Sequence, residues 1–297
     1  MNRVPQLHVL GCGRAARAVA RRLIRTGRVR PGLVVNRSLE SARAAVEFLG
    51  AGEAVECLDE RIAEGWLMLG LPDGVLAQTS HELLRQLPAA PALVFHLSGS
   101  IEAAVLNVPG TPAAAVHPVR AFSDPESAAA NFDGTWCVAE GHEKALDCLR
   151  PVFEAAGGRW LGFAAADKAA WHASTVAASN FLVTIQDMAR ELAGRAGLPE
   201  AQAIQVLCDL QQGTLESLRE RCPSEVLTGP IERGDETACR RIVEAAAALE
   251  PGQARLFSEL GHATLALARE KRGPLDVDES LESLFASFGK RQPSTSD

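Results

Sequence analysis

The chain has 297 residues, of which 47% are hydrophobic and 23% are charged, and 37 acidic against 30 basic side chains give a net charge of −7. This length can bury the cores of two ordinary domains, while the negative charge argues against nucleic acid or an anionic membrane as the main partner. The seven cysteines lack disulfide or zinc spacing, and the absence of tyrosine excludes mechanisms that need a phenol as general acid.

A nucleotide-binding motif follows the first predicted strand. Residues 7–10 are apolar, the next six residues fit the pattern GxGxxA, and an amphipathic helix is predicted to run on to Gly27. In this fingerprint the first glycine permits a tight turn, the second lets the backbone approach a pyrophosphate, and the helix start offers free N–H groups. The motif predicts a dinucleotide held by Gly11, Cys12, Gly13, Arg14, Ala15 and Ala16.

The end of the second predicted strand, residues 33–35, indicates which dinucleotide binds. Proteins that bind NAD normally place Asp or Glu there, but this chain reads Asn36-Arg37-Ser38. A cation and a hydroxyl suit a 2′-phosphate, so we predict NADP(H) held by these three residues. The alternative is that Arg37 is a solvated residue opening the next helix, which we predict over residues 38–50.

Two further strands end near the expected cofactor. Residues 66–70 lead into Leu71-Pro72, and residues 93–97 lead into Ser98-Gly99. In open parallel sheets the ligand lies across the carboxyl ends of the strands. We therefore expect Leu71 and Pro72 on the adenosine-ribose side, and Ser98 with Gly99 at the nicotinamide.

The strand predicted at residues 113–116 ends in His117-Pro118. Its position at a strand end makes His117 a candidate catalytic residue, although a lone histidine there can also be packed or solvated. A strand at 136–139, a helix at about 142–156 and a strand at 159–161 complete the N-terminal half. The predicted fold is α/β, with a doubly wound, mostly parallel Rossmann sheet over residues 1–162.

Everything after residue 163 is predicted to be helical. Residues 164–197 are typical of one long helix, which places Lys168, His172, Thr175, Ser179 and Gln186 on one line. Such a polar line can face water, or it can serve a substrate, with Lys168 and His172 as candidate catalytic residues. Thr175, Ser179 and Asn180 are then candidate substrate-binding residues.

Three more helices are predicted at residues 199–221, 235–249 and 251–272, with Asp235 as an N-cap. Arg233, in the loop between the first two, could bind a substrate carboxylate or be an ordinary solvated residue. The all-helical domain is expected over residues 163–290 and a disordered tail over 291–297.

The sequence resembles a known family in the segments LGCGRAARAVARRL, NRS, GLPD, HP and ADKAAWHAS. It is similar to bacterial Rossmann-like NAD(P)-binding oxidoreductases that carry an uncharacterised helical C-terminal domain. These belong to the 6-phosphogluconate dehydrogenase-like superfamily, with ketopantoate reductase, 3-hydroxyisobutyrate dehydrogenase, pyrroline-5-carboxylate reductase and prephenate dehydrogenase.

The resemblance implies roles for individual residues. Lys168 would donate a proton to the developing alkoxide during hydride transfer, and His172 would replace the asparagine that the hydroxyacid enzymes carry four residues on. Ser98 and His117-Pro118 are similar to residues near the nicotinamide in prephenate dehydrogenases. The resemblance also implies that the helical domain mediates a homodimer.

Together these inferences predict an NADPH-dependent oxidoreductase that reduces a small, ketopantoate-like 2-oxo or 3-oxo acid in a cleft between the domains. The alternatives are an imine reductase, a prephenate-type dehydrogenase, or a non-catalytic NADP(H)-binding sensor or scaffold. No metal, nucleic acid or membrane partner is expected. Cysteine usage, and the lack of an apolar run of about 18 residues, favour a cytoplasmic protein.

Overall fold

The computed structural model describes residues 4–106, 109–163 and 167–289, and the chain divides into two compact units, Met1–Ser179 and Asn180–Asp297. The first unit contains an eight-stranded sheet in the order β3-β2-β1-β4-β5-β6-β7-β8. Neighbouring strands are parallel except β6 and β7, which pair antiparallel. The strands are β1 Gln6–Leu10, β2 Arg30–Val35, β3 Glu53–Ala54, β4 Trp66–Leu69, β5 Leu93–His96, β6 Ala113–Val119, β7 Trp136–Gly141 and β8 Arg159–Gly162.

Helices cover the sheet of the first unit. They are α1 Arg14–Arg25, α2 Leu39–Leu49, α3 Asp73–Arg85, α4 Pro125–Ala130, α5 Glu143–Ala155 and α6 Lys168–Ala178. The central strands β4 and β5 are buried along their whole length, as expected for a parallel sheet covered on both faces. Helix α1 turns an apolar stripe onto this core, with Val19, Ala20 and Leu23 fully buried.

The described residues of the second unit form helices joined by turns and short loops. Its helices are α7 Asn180–Arg195, α8 Glu200–Leu218, α9 Pro223–Val226, α10 Pro230–Arg233, α11 Glu236–Ala246, α12 Pro251–Arg272 and α13 Asp278–Gly289. Helices α11, α12 and α13 surround a core that includes Val243, Leu265 and Phe285. Asp235 caps α11 as predicted, since its carboxylate accepts a hydrogen bond from the Ala238 N–H at 3.0 Å.

The predicted class, a mostly parallel Rossmann sheet followed by helices, is confirmed, but several elements differ from the prediction. Strand β6 does not end before His117, because the antiparallel ladder with β7 carries it through Pro118 to Val119. His117 therefore lies within a strand, opposite Val138. Helices α4, α9, α10 and α13 and strand β3 were not predicted, and Arg233, predicted to lie in a loop, is the last residue of α10.

The prediction of one long helix over residues 164–197 is also wrong, because α6 ends at Ala178 and α7 begins at Asn180. Near this break the hydroxyls of Ser174 and Thr175 donate to the carbonyls of Trp171 and His172, and such back-bonding bends helices. Residues 164–166 lie outside the described residues, as does the tail from residue 290. The predicted polar line therefore stops at Ser179, and Gln186 belongs to the second unit.

Within the described residues, no helix is long and apolar enough to cross a membrane.

Candidate functional site

A cleft of about 980 Å³ opens at the carboxyl ends of the central strands of the first unit. Its walls come from the turn after β1, the end of β2 and the segments after β4 and β5. Most of the predicted cofactor-binding residues line it, and the lining includes Gly11, Cys12, Gly13, Arg14, Ala15, Ala16, Asn36, Arg37, Leu71, Pro72 and Ser98. Ser38 and Gly99 are not among the lining residues.

The turn between β1 and α1 is shaped for a phosphate group. Gly11 has a φ of +79°, a conformation that glycine adopts without strain. Gly13 is the N-cap of α1, and no acidic side chain occupies the first turn of that helix. The first N–H groups of a helix have no partner within it, and the helix dipole adds positive charge there. This open helix start fits the pyrophosphate of a dinucleotide.

Asn36 ties this turn to the next helix. Its Oδ1 accepts a hydrogen bond from the Cys12 N–H at 2.6 Å, and its Nδ2 donates to the Ser41 carbonyl at 3.0 Å. An aspartate could accept the first bond but could not donate the second. The neighbouring Cys12 thiol is inert packing, because burial raises its pKa to about 12.

The rim near α2 carries the features expected for a 2′-phosphate. Arg37 is exposed and makes no ion pair with any described residue, so its guanidinium is free for a ligand. Ser38, predicted to bind the phosphate, instead caps α2, accepting from the Ser41 N–H at 3.2 Å. Ser41 lines the cleft and was missed, although the Ser-x-x-Ser spacing of a capping box was a signal for it.

The strand order revises the position of Leu71 and Pro72. They follow β4, which lies on the opposite side of β1 from β2, the strand that leads to Arg37. A dinucleotide with its pyrophosphate on α1 and its 2′-phosphate at Arg37 has its nicotinamide half over β4 and β5. Leu71 and Pro72 therefore lie on the nicotinamide side and not, as predicted, on the adenosine-ribose side.

A buried ion pair lies level with the end of β5, because Glu140 is opposite Ala115 of β6, which in turn is opposite His96. The side chain of Lys168, at the first position of α6, is 6% exposed, and its Nζ lies 3.4 Å from Oε1 of Glu140 on β7. The same carboxylate oxygen accepts the Ala103 N–H at 2.8 Å. Glu140 was not predicted as a site residue, because nothing local to residue 140 indicates a partner on α6.

Two histidines lie close to this pair. The rings of His117 and His172 have their centroids 6.2 Å apart, and Trp171 packs edge-on against His117. A Cβ at Gly99 would lie 2.6 Å from Cε1 of His117, so the absence of a side chain there lets the imidazole approach the end of β5. The structure thus places His172 and Gly99 against His117, with Lys168 close enough for its charge to lower the pKa of His117.

The surroundings keep His117 and His96 neutral. Burial, together with the charges of His172 and Lys168, lowers the pKa of His117 to about 4. Burial also lowers the pKa of His96 to about 4. His117 Nδ1, His172 Nδ1 and Trp171 Nε1 are buried without a hydrogen-bond partner among the described residues. A neutral ring N–H without a partner is a ready donor to a ligand oxygen.

A chain of hydroxyls runs from the cleft to a carboxylate. Ser98 Oγ lies 3.3 Å from Ser100 Oγ, and Ser100 Oγ donates to Asp73 Oδ2 at 2.5 Å. Ser98 Oγ also accepts from the N–H groups of Ser100 and Ile101, each at 3.1 Å. Asp73 and Ser98 line the cleft. Ser98 was predicted as a site residue from the sequence, whereas Ser100 and Asp73 were not.

The predicted substrate-binding residues are divided between the two units. Thr175 and Ser179 are in the first unit, where the Thr175 hydroxyl donates to the His172 carbonyl at 2.8 Å. Asn180 and Arg233 are in the second unit, in α7 and α10. Their roles stay predictions. No cluster of three or more His, Cys, Asp or Glu residues in the described part of the chain could hold a metal ion.

Comparisons with known proteins agree with this fold. A family model described as "Domain of unknown function (DUF2520)" matches residues 135–264. Among solved structures, a candidate NADP oxidoreductase from Bacteroides fragilis gives a TM-score of 0.74 at 22% identity, covering 88% of this chain and 98% of that one. A comparison with curated proteins finds no match.

Two structures with more specific descriptions share the fold. A 1-pyrroline-5-carboxylate reductase from Streptococcus pyogenes gives a TM-score of 0.56 at 12% identity, covering 96% of this chain and 98% of that chain. An imine reductase from Myxococcus stipitatus, in complex with NADP+, gives 0.54 at 16% identity, covering 96% of each chain. At such identities the likeness establishes the fold and not the substrate.

The chain therefore has the Rossmann-like fold of NADP oxidoreductases, followed by a helical C-terminal region. Within that class its fold resembles those of pyrroline-5-carboxylate reductase and imine reductase, and the DUF2520 match runs from just before β7 into α12.

Proposed function

We propose that the protein is an NADPH-dependent oxidoreductase that reduces a carbonyl group of a small 2-oxo or 3-oxo acid. The observation that carries the proposal is the buried ammonium of Lys168, whose charge helps to lower the pKa of both His96 and His117, near the end of β5 after which Ser98 lines the cofactor cleft. A carbonyl that accepts a hydride builds negative charge on its oxygen. A fixed ammonium in a site with little water stabilises such charge strongly.

Two groups of residues in this chain bind the two phosphate-bearing parts of NADP(H). The N–H groups at the start of α1 bind the pyrophosphate, and Arg37 with Ser41 binds the 2′-phosphate. Asp73, the acidic residue among those that line the cleft, follows β4 and so lies on the other side of β1 from Arg37. Bound NADPH supplies the hydride. Lys168 then stabilises the substrate oxygen, while ring N–H groups of His117 and His172 donate hydrogen bonds that orient the substrate.

A second candidate is the reduction of a C=N bond in a cyclic imino acid. It is supported by the fold shared with a 1-pyrroline-5-carboxylate reductase and an imine reductase. An imine nitrogen is basic and is reduced as its cation, so it does not need an ammonium beside it. The Glu140 carboxylate balances the positive charge of Lys168, so the pair carries no net charge that would repel the imine cation.

The test is a turnover panel. Wild-type protein is mixed with NADPH, or with NADH, and with 2-oxo acids including ketopantoate, with 1-pyrroline-5-carboxylate and other cyclic imines, and with prephenate plus NADP+. Loss of the NADPH absorbance with one oxo acid confirms the proposal, and loss with imines alone selects the second candidate. Tight NADPH binding without turnover of any compound overturns the enzyme proposal in favour of a sensor or scaffold.

Arg37→Ala is expected to weaken NADPH binding by about 10- to 100-fold, the loss of one charge-assisted hydrogen bond worth roughly 1.5–3 kcal/mol. NADH has no 2′-phosphate, so its dissociation constant should stay within about two-fold. Calorimetric titration of both nucleotides measures the change. Arg28→Ala removes an exposed arginine outside the cleft lining and is the matched control. Equal weakening of NADPH and NADH would contradict the assignment.

A homodimer through the helical unit is part of the proposal. In the single chain, α8 buries only Ala203 of its 19 residues, and α7 and α8 expose Phe181, Val183, Ile204, Val206, Leu210 and Leu215. Helices gain most of their stability from packing an apolar face, and homodimer interfaces are more apolar than the rest of the protein surface. A second copy of the same two helices is the occupant that matches this surface in size and character.

Leu210→Glu is expected to convert the dimer into monomers, because a carboxylate at the centre of an apolar interface is buried without a partner in both copies. Leu210 is 66% exposed in the single chain, so the monomer fold should survive the change. Light scattering after size-exclusion chromatography gives the mass. Leu275→Glu alters a leucine that is 43% exposed outside α7 and α8, and it should leave the dimer intact. A monomeric wild-type protein would refute the prediction.

A further inference from the structure

Arg17 lies on a face of α1 that contacts α2. Arg21, four residues further on, places its guanidinium carbon 4.7 Å from the centre of the Phe48 ring in α2. Residues four apart in a helix lie one above the other on the same face. Side chains of a helix also lean towards its N-terminus. The Arg17 guanidinium is therefore directed to the region between the starts of α1 and α2.

A hydrogen bond fixes the Arg17 guanidinium in this region. Its Nε donates to the Cys12 carbonyl at 3.0 Å, while the Cys12 N–H donates to Asn36 Oδ1 at 2.6 Å. Asn36 directly precedes Arg37 and also donates to the Ser41 carbonyl. The guanidinium is thus anchored to the turn that Asn36 joins to the start of α2, next to the rim that carries Arg37.

The outer part of the Arg17 guanidinium is free to bind a ligand. A guanidinium has five N–H donors, and the donor on Nε is the one that a described residue uses. The two Nη groups make no hydrogen bond or ion pair with any described residue, and neither is buried. Arg17 and Arg37 both line the cleft. Because the Nε bond already orders the side chain, an anion that binds the Nη groups has less conformational entropy to remove.

The group that fits two guanidinium groups is a phosphate monoester. Its charge at neutral pH is about −1.5 to −2, which is more than one arginine neutralises. Arg37 supplies one positive charge just before α2, and Arg17 supplies a second from α1. Arginine also matches phosphate geometry with two parallel N–H···O bonds. In a dinucleotide this group is the 2′-phosphate of NADP(H), whereas each phosphoryl group of the pyrophosphate carries a single charge.

We infer that Arg17 binds the 2′-phosphate of NADP(H) together with Arg37, and that it is a second residue that determines the preference for NADP(H) over NAD(H). The inference rests on the NADP(H) binding of the proposed function and deepens it. Arg37 binds the phosphate from the end of β2, and Arg17 binds it from α1 through its Nη groups. The specificity residue on α1 lies directly after the GxGxxA motif, outside the strand end from which cofactor preference is usually predicted.

The decisive variant is Arg17→Gln. Glutamine Nε2 stands where the arginine Nε was and can still donate to the Cys12 carbonyl, whereas the charge and both Nη groups are lost. The NADPH dissociation constant should rise by about 10- to 100-fold, the loss of a charge-assisted contact. That of NADH, which has no 2′-phosphate, should change by less than about two-fold. Calorimetric titration measures both.

Two further variants complete the series. Arg25→Gln changes an exposed arginine of the same helix outside the cleft lining, and it should leave both affinities unchanged. Arg17→Gln/Arg37→Ala removes both cations and should bind NADPH and NADH with similar affinity.

Phosphorus NMR of bound NADP+ identifies the phosphate that Arg17 contacts, because the 2′-phosphate and the pyrophosphate give separate resonances. A free phosphate monoester has a second pKa of roughly 6, and neighbouring cations lower it because they favour the dianion. With saturating protein, the pKa of the bound 2′-phosphate should be higher in Arg17→Gln than in wild type by about 1 unit or more. The pyrophosphate resonances should be the same in both proteins.

The outcomes separate the role of Arg17 from the function on which it rests. Selective loss of NADPH affinity in Arg17→Gln, with the raised 2′-phosphate pKa, supports the inference. Equal weakening of NADPH and NADH, with shifted pyrophosphate resonances, overturns it, as does unchanged NADPH affinity, and both results leave the oxidoreductase standing. A wild-type protein that binds NADH as tightly as NADPH overturns the NADP(H) preference and the inference with it. Selective NADPH binding without turnover overturns the proposed reduction and still supports the role of Arg17.

Discussion

Lys168→Met is expected to lower turnover by about 10²–10³-fold, the loss typical of removing one fixed donor to a developing oxyanion. Methionine keeps the length of the side chain and loses only the ammonium. The same change should leave the NADPH dissociation constant nearly unaltered, because Lys168 is not among the residues that line the cofactor cleft. Steady-state rates with the best panel substrate, together with calorimetric NADPH titration, measure the two effects.

The effect of Lys168→Met on stability must be measured separately from its effect on turnover. Lys168→Met leaves the Glu140 carboxylate without its cation, and breaking a buried pair costs about 3–5 kcal/mol. The low end of that range applies here, because the Glu140 side chain keeps 16% exposure and still accepts the Ala103 N–H. Urea unfolding should therefore show a free energy of unfolding lower by about 3 kcal/mol.

The double variant Lys168→Met/Glu140→Gln distinguishes the two roles. Glutamine carries no charge, and its Oε1 can still accept the Ala103 N–H. The free energy of unfolding should return to within about 1 kcal/mol of wild type, since removing both members of a buried pair is often neutral. Turnover should stay low. A double variant that regains the wild-type rate would mean that Lys168 is structural and that the chemistry lies elsewhere.

The parts of the fold that depend on local chemistry were predictable from the sequence. The spacing of Gly11, Gly13 and Ala16 after an apolar strand specifies the turn and the helix start, because each glycine or alanine meets a need of its own backbone position. The N-cap Asp235 is also a local feature, because its carboxylate accepts from the Ala238 N–H three residues on. These features depend on neighbours within about four residues, which one sequence displays.

The features that were missed depend on partners far apart in the chain. Asp73 and Ser100 are separated by 27 residues, and they meet because β4 and β5 are adjacent and parallel, which brings both strand ends to one edge. Glu140 faces Lys168 because β7 pairs antiparallel with β6. That reversal of strand direction also extended β6 through His117. Strand order and register are set by the whole core, so residue spacing alone could not specify these pairs.

The tightest packing in the cofactor site is at Gly70, between β4 and the fingerprint turn. A Cβ there would lie 2.1 Å from the Gly11 carbonyl oxygen and 2.4 Å from the Ala16 Cβ. Neither neighbour is a flexible side chain that can rotate away. Gly70 thus has the same function as the fingerprint residues, because it allows the turn that binds the phosphates to rest directly on the sheet.

Gly70→Ala should therefore displace the turn from the end of β4. We expect NADPH binding to weaken by at least about 10-fold and the free energy of unfolding to fall by roughly 1–3 kcal/mol, the cost of an overpacked core. Calorimetry and urea unfolding measure the two quantities. Affinity should fall for NADPH and NADH alike, since the pyrophosphate site is common to both, and this distinguishes Gly70→Ala from Arg37→Ala.

The matched control for Gly70→Ala lies four residues further on. A Cβ at Gly74, within the first turn of α3, would meet no atom within 4 Å. Gly74→Ala should therefore leave NADPH affinity unchanged and raise the free energy of unfolding by about 0.5–1 kcal/mol, the usual gain of alanine over glycine in a helix. If the two variants behave alike, the contact between the turn and β4 does not position the phosphate site. If only Gly70→Ala loses affinity, that contact holds the turn in its binding conformation.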